Sequence, residues 1–275
     1  MKKLIAGSLS IALISSFAMD SAQAASKNKV TNVAHRGASG YAPENTIAAF
    51  DKAVQMGADY FEIDVQVSKD GKLVLIHDNT VNRTTNGKGF IGTKTLAELK
   101  QLDAGSWFNP SFQNEKIPTF EEVLDRYKGN KIGILIELKS PELYPGVEEK
   151  VAKALKDRNL DKPSNNKIII QSFNHLSVQK SKQLLPNIPH GVLLYSKTPM
   201  SDDLSLKRFS QYADYYNPSK SSITKELVDK VHRYGMKVEP YTVRKSEEVD
   251  PLLQAGVDGI ITDYPDFMYG KTKRK

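Results

Sequence analysis

Four short groups hold the side chains of this chain that could do chemistry: His35-Arg36-Gly37, Glu62-Ile63-Asp64, His77-Asp78 and Glu137-Leu138-Lys139. Residues two apart on an extended strand face the same side, so Glu62 with Asp64, and Glu137 with Lys139, each present a charged pair to one face. The surrounding runs, Tyr60 to Val65 and Ile132 to Leu138, otherwise read as buried strand. A carboxylate in such a place must be paired, hydrated or bound to a cation, because an isolated buried charge costs several kcal/mol or takes up a proton. Glu62, Asp64 and Glu137 therefore form a candidate metal site. Its all-oxygen donors suit a hard cation, with Ca²⁺ the first choice and Mg²⁺ the second.

Two histidines beside a cation suit acid–base work, since an imidazole titrates near neutrality and each can add about 10²–10⁴ in rate. Arg36 and Lys139 supply positive charge for the oxygens of a phosphate. With one of His35 and His77 taking a proton from a nucleophile and the other protonating a departing alkoxide, the set describes phosphodiester cleavage. Phe173 and Tyr241, at the ends of later strands, are expected to line the pocket, with core packing as the alternative. His175, His190 and His232 lack a carboxylate at strand spacing and are read as a helix start, a strand start and a helix surface.

These groups meet only if the strands carrying them lie side by side. Apolar runs rich in Val, Ile and Tyr alternate with amphipathic stretches, and the strand candidates are 31–35, 60–67, 132–138, 167–173, 191–195, 212–217, 237–243 and 259–262. Helices are expected over 45–56, 146–158, 175–185, 224–234 and 246–255, several of them stopped by Gly or Pro. Repeated β then α units imply parallel strands. Eight of them, without a glycine-rich dinucleotide loop, predict an α/β fold of the (β/α)₈ barrel type, whose active sites lie at the C-terminal strand ends. The turn Lys69-Asp70-Gly71 predicts a hairpin that returns His77 towards Glu62 and Asp64, and residues of about 79–118 are expected to form an insertion over the barrel mouth.

The chain of 275 residues has a formal charge of +7 and no cysteine. It opens with Met1-Lys2-Lys3, an apolar stretch from Leu4 to Met19, and Ala22-Gln23-Ala24. That order predicts a secretory signal peptide over residues 1–24, cleaved after Ala24, followed by one domain over 25–275. Without disulfides the exported domain must rely on its core. The basic balance fits polyanions outside the cell, with solubility as the plainer reason.

The motifs Pro43-Glu44-Asn45-Thr46, Glu62-Ile63-Asp64-Val65, His77-Asp78, Arg83-Thr84-Thr85-Asn86-Gly87, Pro118-Thr119 and Ile261-Thr262-Asp263-Tyr264-Pro265 resemble the glycerophosphodiester phosphodiesterase family, specifically its secreted bacterial type. The resemblance implies a (β/α)₈ barrel, His35 and His77 as base and acid, Glu62, Asp64 and Glu137 on the metal, and Arg36 and Lys139 on the phosphate. It further implies attack of the glycerol 2-hydroxyl on phosphorus, a cyclic phosphate, and its opening by water to glycerol 3-phosphate and an alcohol. The substrates it implies are small glycerophosphodiesters, with glycerol-phosphate teichoic acid as a further candidate. Neither a nucleic-acid partner nor stable membrane insertion is expected. One departure stands near the seventh strand, where Tyr241-Thr242-Val243-Arg244 replaces the family's usual Trp-Thr-Val-Asn. If Arg244 points to the mouth, it should favour a polyanionic substrate. The competing readings are a phosphatidylinositol-type phospholipase C and a non-catalytic wall-binding barrel.

Overall fold

In the computed structural model, which describes residues 29–162, 167–196 and 200–271, the chain winds through alternating strands and helices. The leader expected over residues 1–24 lies outside the described residues. In chain order the elements are β1 (Thr31–Ala34), α1 (Ile47–Gln55), β2 (Tyr60–Val67), β3 (Leu73–Leu75), α2 (Leu96–Gln101), α3 (Phe120–Arg126), β4 (Gly133–Leu138), α4 (Val147–Lys156) and β5 (Ile168–Ser172). There follow α5 (His175–Leu184), β6 (His190–Leu194), α6 (Asp203–Phe209), β7 (Tyr215–Pro218), α7 (Lys225–Arg233), β8 (Lys237–Val238), α8 (Val249–Ala255) and β9 (Gly259–Thr262).

Eight of the strands run parallel in the order β8-β7-β6-β5-β4-β2-β1-β9, and β3 pairs antiparallel with β2. Backbone hydrogen bonds from Asp258 N to Val238 O at 2.8 Å, Ile261 N to Pro240 O at 3.0 Å and Val243 N to Ile261 O at 3.0 Å join the two ends of that order. The sheet thus closes into a (β/α)₈ barrel. Strand alternation sorts the core: Phe61, Ile63, Ile134 and Ile136 face the helix layer, while Val33, Leu135, Ile169, Tyr215 and Ile261 fill the barrel interior. Among the described residues no helix is long and apolar enough to cross a membrane.

Several expected boundaries shift for local reasons. Regular pairing of the seventh parallel strand stops at Val238, because Pro240 has no N–H to give the ladder, although Tyr241 N still reaches Pro218 O at 3.1 Å. The first helix starts at Ile47 rather than Asn45. Thr46 is its N-cap, accepting from Ala49 N, whereas Asn45 adopts a left-handed φ of 55° and turns its side chain to the barrel. The seven-residue helices α3 and α6 carry too few turns to show a period in sequence.

The β2–β3 hairpin turns at Gly71, with φ of 78°, and pairs Val65 with Leu75. Residues 79–118 contain α2 and two short 3₁₀ turns. Val81, Ile91, Leu99, Ala104 and Ile117 from this segment form a small core with Val74 and Ile76, so the hairpin that ends at His77 is packed from behind.

Candidate active site

The turn after β1 is built to bring a backbone amide to a carboxylate. Arg36 is held at φ of 56° and Gly37 at 82°, and a Cβ on Gly37 would meet the Ala49 backbone at 2.6 Å. Only glycine fits there. The turn aims Arg36 N at Glu62 Oε2, 2.8 Å away, and lets the Arg36 guanidinium donate to Glu44 Oε1 at 2.8 Å.

Glu62 and Asp64 project from β2, and register places Asp64 beside Glu137 of β4. One carboxylate oxygen from each of Glu62, Asp64 and Glu137 lies within 4.8 Å of the others, and all three side chains are buried. Asn45 grips Asp64 twice, its amide donating to Oδ2 at 2.8 Å and its carbonyl accepting from Asp64 N at 3.1 Å. Lys139 donates to Glu137 at 2.8 Å and stands 3.7 Å from Asp64, and Arg36 Nε lies 3.4 Å from Asp64.

Three carboxylates in one buried place cannot all stay charged on two cations. Burial, with Asp64 and Glu137 beside it, pushes the Glu62 carboxyl well above the usual range. Burial and Asp64 push Glu137 up to about 7. Burial acts on Asp64 as well, but Arg36, Lys139 and His77 outweigh it and hold that carboxyl below the usual range. Asp64 Oδ1 is also buried with no hydrogen-bond partner. An all-oxygen cluster with an orphaned acceptor and two proton-hungry carboxylates fits a hard divalent cation, which Glu62, Asp64 and Glu137 would hold.

Each site histidine has its Nδ1 on a carboxylate. His35 Nδ1 lies 2.6 Å from Asp263 Oδ1, and His77 Nδ1 lies 2.7 Å from Asp78 Oδ1. Against burial, His35 and Arg244 hold Asp263 down to about 2. Asp78 is held below the usual range first by its hydrogen bonds from Arg83, against some burial. Both carboxylates can then only accept, so Nδ1 of each imidazole carries the hydrogen and Nε2 is left for chemistry. Burial, then the Arg36 charge, pushes His35 below the ordinary histidine range despite Asp263, and burial lowers His77 against the pull of Asp64.

A cavity of about 490 Å³ at the C-terminal strand ends unites His35, Arg36, Glu62, His77, Glu137 and Lys139. Asp64 is buried and does not line it, though its neighbours Arg36 and Lys139 do. Phe173 and Tyr241 both line the wall, with ring centroids 5.8 Å apart and edge to face, and Tyr195 stacks on Phe173 at 4.3 Å. Arg244 lines the cavity too. Its Nε donates to Asp263 Oδ2 at 2.6 Å and the side chain is 57% exposed.

The other histidines stand apart from this cavity. His175 Nε2 bonds Leu193 O, His232 Nε2 bonds Asp258, and the buried His190 is spent on Ile188 O and Ser181 Oγ. His175 opens α5, His190 opens β6 and His232 lies on α7, the positions expected of them, while Asp258 is a carboxylate partner of His232 that strand spacing did not reveal.

Sequence reasoning missed the residues that aim the site. Gln66 continues the Glu62-Asp64 alternation on β2, and its buried amide donates to the carbonyls of Ile76, His77 and Asp78 at 2.8–3.0 Å, fixing the turn that carries His77. That i+2 spacing was the available signal. Arg83 clamps Asp78 with bonds of 2.8 and 2.9 Å and Glu44 with bonds of 2.7 and 2.8 Å. Asp263, Asp78, Glu44 and Asn45 had been noted as motif residues only.

Residues 35–267 match the family model described as the glycerophosphoryl diester phosphodiesterase family. A glycerophosphodiester phosphodiesterase of Bacillus subtilis is 42% identical over 97% of this chain and 96% of its own length. Another, of Caldanaerobacter subterraneus, is 43% identical over 90% of this chain and 99% of its own. Among solved structures, a phosphodiesterase of Oleispira antarctica in complex with sn-glycerol-3-phosphate matches at a TM-score of 0.81 and 32% identity, covering 88% of this chain and 96% of that one. With its barrel, its matched motifs and these relatives, the chain belongs to the glycerophosphoryl diester phosphodiesterase family and is an enzyme of that class.

Proposed function

We propose that this protein hydrolyses glycerophosphodiesters to glycerol 3-phosphate and an alcohol, with His35 and His77 as the proton carriers. The observation that carries this is the pairing of two carboxylate-oriented imidazoles in one cavity with the Glu62-Asp64-Glu137 cluster. A neutral His35, its Nδ1–H on Asp263, has Nε2 free to accept the proton of the glycerol 2-hydroxyl as that oxygen attacks phosphorus. His77 gives its Nε2 proton to the departing alkoxide. Burial lowers His77, and the arriving phosphodiester opposes this by adding negative charge beside it, which favours the imidazolium. A cyclic phosphate results, and the two histidines exchange roles when water opens it.

Arg36 and Lys139 bind the non-bridging oxygens, and Phe173 and Tyr241 wall the glycerol. A divalent cation, for which Ca²⁺ is our choice, supplies charge stabilisation to the phosphoryl oxygens when bound. The leader-like residues 1–24 support action outside the cell. Headgroup diesters and teichoic acid would both be met there.

The test is coupled detection of glycerol 3-phosphate from glycerophosphocholine, glycerophosphoethanolamine and purified wall teichoic acid, with calcium, with chelator, and with His35→Ala. Calcium-dependent release that disappears in the variant is expected. Release that survives both chelation and the substitution would remove the metal and His35 from the reaction.

A further inference from the structure

The barrel interior holds polar side chains that acid–base catalysis by the two histidines does not use. Gln171 of β5 and Asn217 of β7 are both buried, and Asn217 Nδ2 donates to Gln171 Oε1 at 2.8 Å. The bond crosses β6, which lies between those strands, and residue 191 of β6 is glycine. A Cβ there would stand 3.2 Å from Asn217 Nδ2 and 3.5 Å from Gln171 Cβ, so a larger residue would crowd the bond. Gln171 also lines the catalytic cavity. With its Oε1 taken by Asn217, what it offers the cavity is its NH2.

An acid stands at the other end of this line. Asn217 Oδ1 and Glu239 Oε2 are buried oxygens that accept no hydrogen bond. Tyr215 pairs with Lys237, Tyr216 with Val238 and Ser219 with Tyr241, and the same register sets Asn217 beside Glu239. Both share the inward parity of Tyr215 and Tyr241, on strands about 4.8 Å apart. Two buried acceptors side by side forfeit their hydrogen bonds to water unless one of them carries a hydrogen. A protonated carboxyl carries one, and Glu239 O–H donating to Asn217 Oδ1 satisfies both. Burial pushes Glu239 up to about 8, so that hydrogen is present at neutral pH. Lys237 opposes the shift, Asp258 and Asp59 add to it, and the Thr31 hydroxyl and the phenols of Tyr60 and Tyr215 complete the surroundings.

We propose that Glu239 and Asn217 are positioning residues: one hydrogen-bonded line, from Glu239 through Asn217 to Gln171, holds the Gln171 amide with its NH2 towards the catalytic cavity, where it donates to a substrate oxygen. This rests on the phosphodiesterase reading above. Each amide has a donor end and an acceptor end, so the hydrogen on Glu239 sets the direction of the whole line. When Glu239 gives its proton to solvent, its carboxylate accepts from Asn217 Nδ2, Asn217 Oδ1 accepts from Gln171 Nε2, and Gln171 turns its Oε1 to the cavity. A carbonyl oxygen there repels the phosphodiester oxygens that the NH2 would bind. A group in the barrel core thereby governs substrate affinity without touching the substrate.

The experiment measures KM and kcat for choline release from glycerophosphocholine, whose own charge is constant between about pH 7 and 9, at saturating calcium. In the wild type KM is expected to rise about tenfold across that range. Glu239→Gln, whose amide donates at every pH, should keep the low KM throughout. Gln171→Leu should raise KM about tenfold at both ends of the range, and adding Asn217→Leu to it should raise KM no further, because Asn217 acts only through Gln171. If Asn217→Leu does not fold, the near-isosteric Glu239→Gln decides the matter through the pH step. A wild-type KM that does not change with pH, a step that persists in Glu239→Gln, or additive losses in the double variant overturns the relay, while turnover of glycerophosphocholine leaves the parent reading intact. If the wild type itself gives no choline, the parent reading falls and the relay's role with it.

Discussion

Arg83 is the residue whose loss should separate proton donation from the rest of catalysis. Its guanidinium bridges Asp78, which orients His77, and Glu44, which holds Arg36. Arg83→Gln is too short and has too few donors to make both bidentate contacts, so Asp78 keeps only His77 and gains freedom to swing. A general acid is worth about 10²–10⁴ in rate, and a misplacement of about 1 Å can cost on the order of 10². The variant should therefore lose about 10- to 100-fold in kcat on glycerophosphocholine, whose alkoxide needs a proton. On glycerophospho-p-nitrophenol, whose leaving group departs without one, kcat should barely change. Arg83 is 43% exposed, so its ion pairs should contribute no more than about 1 kcal/mol to stability. A melting measurement should then find the variant folded at the assay temperature. A KM rise common to both substrates would report on Arg36 through Glu44, which leaves the kcat ratio as the clean readout. His77→Ala should show the same leaving-group dependence in larger degree. Equal kcat losses on the two substrates would refute the idea that Arg83 acts through the proton donor, and a flat response in His77→Ala would take that role from His77 itself.

Three further outcomes follow from the geometry. Because Glu137 sits at about 7 and Glu62 above the usual range when no cation shares the site, Ca²⁺ binding should release protons and tighten as pH rises through 7. Calorimetry in two buffers of different ionisation enthalpy checks this, Glu137→Gln should both weaken binding and reduce the proton release, and no proton release would contradict the picture. Glu239, buried in the barrel wall and pushed up to about 8 chiefly by burial, stays protonated in the fold at pH values where the unfolded chain ionises. Stability should thus fall as pH rises from about 4.5 to 8, by as much as roughly 5 kcal/mol from this group. Glu239→Gln should raise the melting temperature more at pH 8 than at pH 5, and an equal shift at both would exclude the titration. Arg244→Asn should lower activity on poly(glycerol phosphate) more than on glycerophosphocholine. Since Arg244 also holds Asp263 against His35, equal losses on both would assign it to His35 rather than to the polyanion.

What the linear chain determined is what depends on neighbours a few residues apart. The i, i+2 spacing of Glu62 with Asp64 put two acids on one face, and alternating apolar runs announced repeated β and α units, because side-chain direction and helix period are local properties of the backbone. Strand endings and short helices were less legible, as at Pro240 and in α6, where a single residue or too few turns set the outcome.

Only the closed barrel decided how the histidines are aimed. His35 and Asp263 lie 228 positions apart and become hydrogen-bonded because β9 returns to pair with β1. Arg83 and Glu44 meet across 39 positions because the segment after β3 folds over the mouth. Asn45, which cap preference alone would place at a helix start, is drawn to Asp64 by a buried carboxylate that must have its hydrogen bonds met. Local spacing specifies which face a charged group takes, whereas its partner, its proton and its basicity are set by groups that only tertiary packing brings within reach.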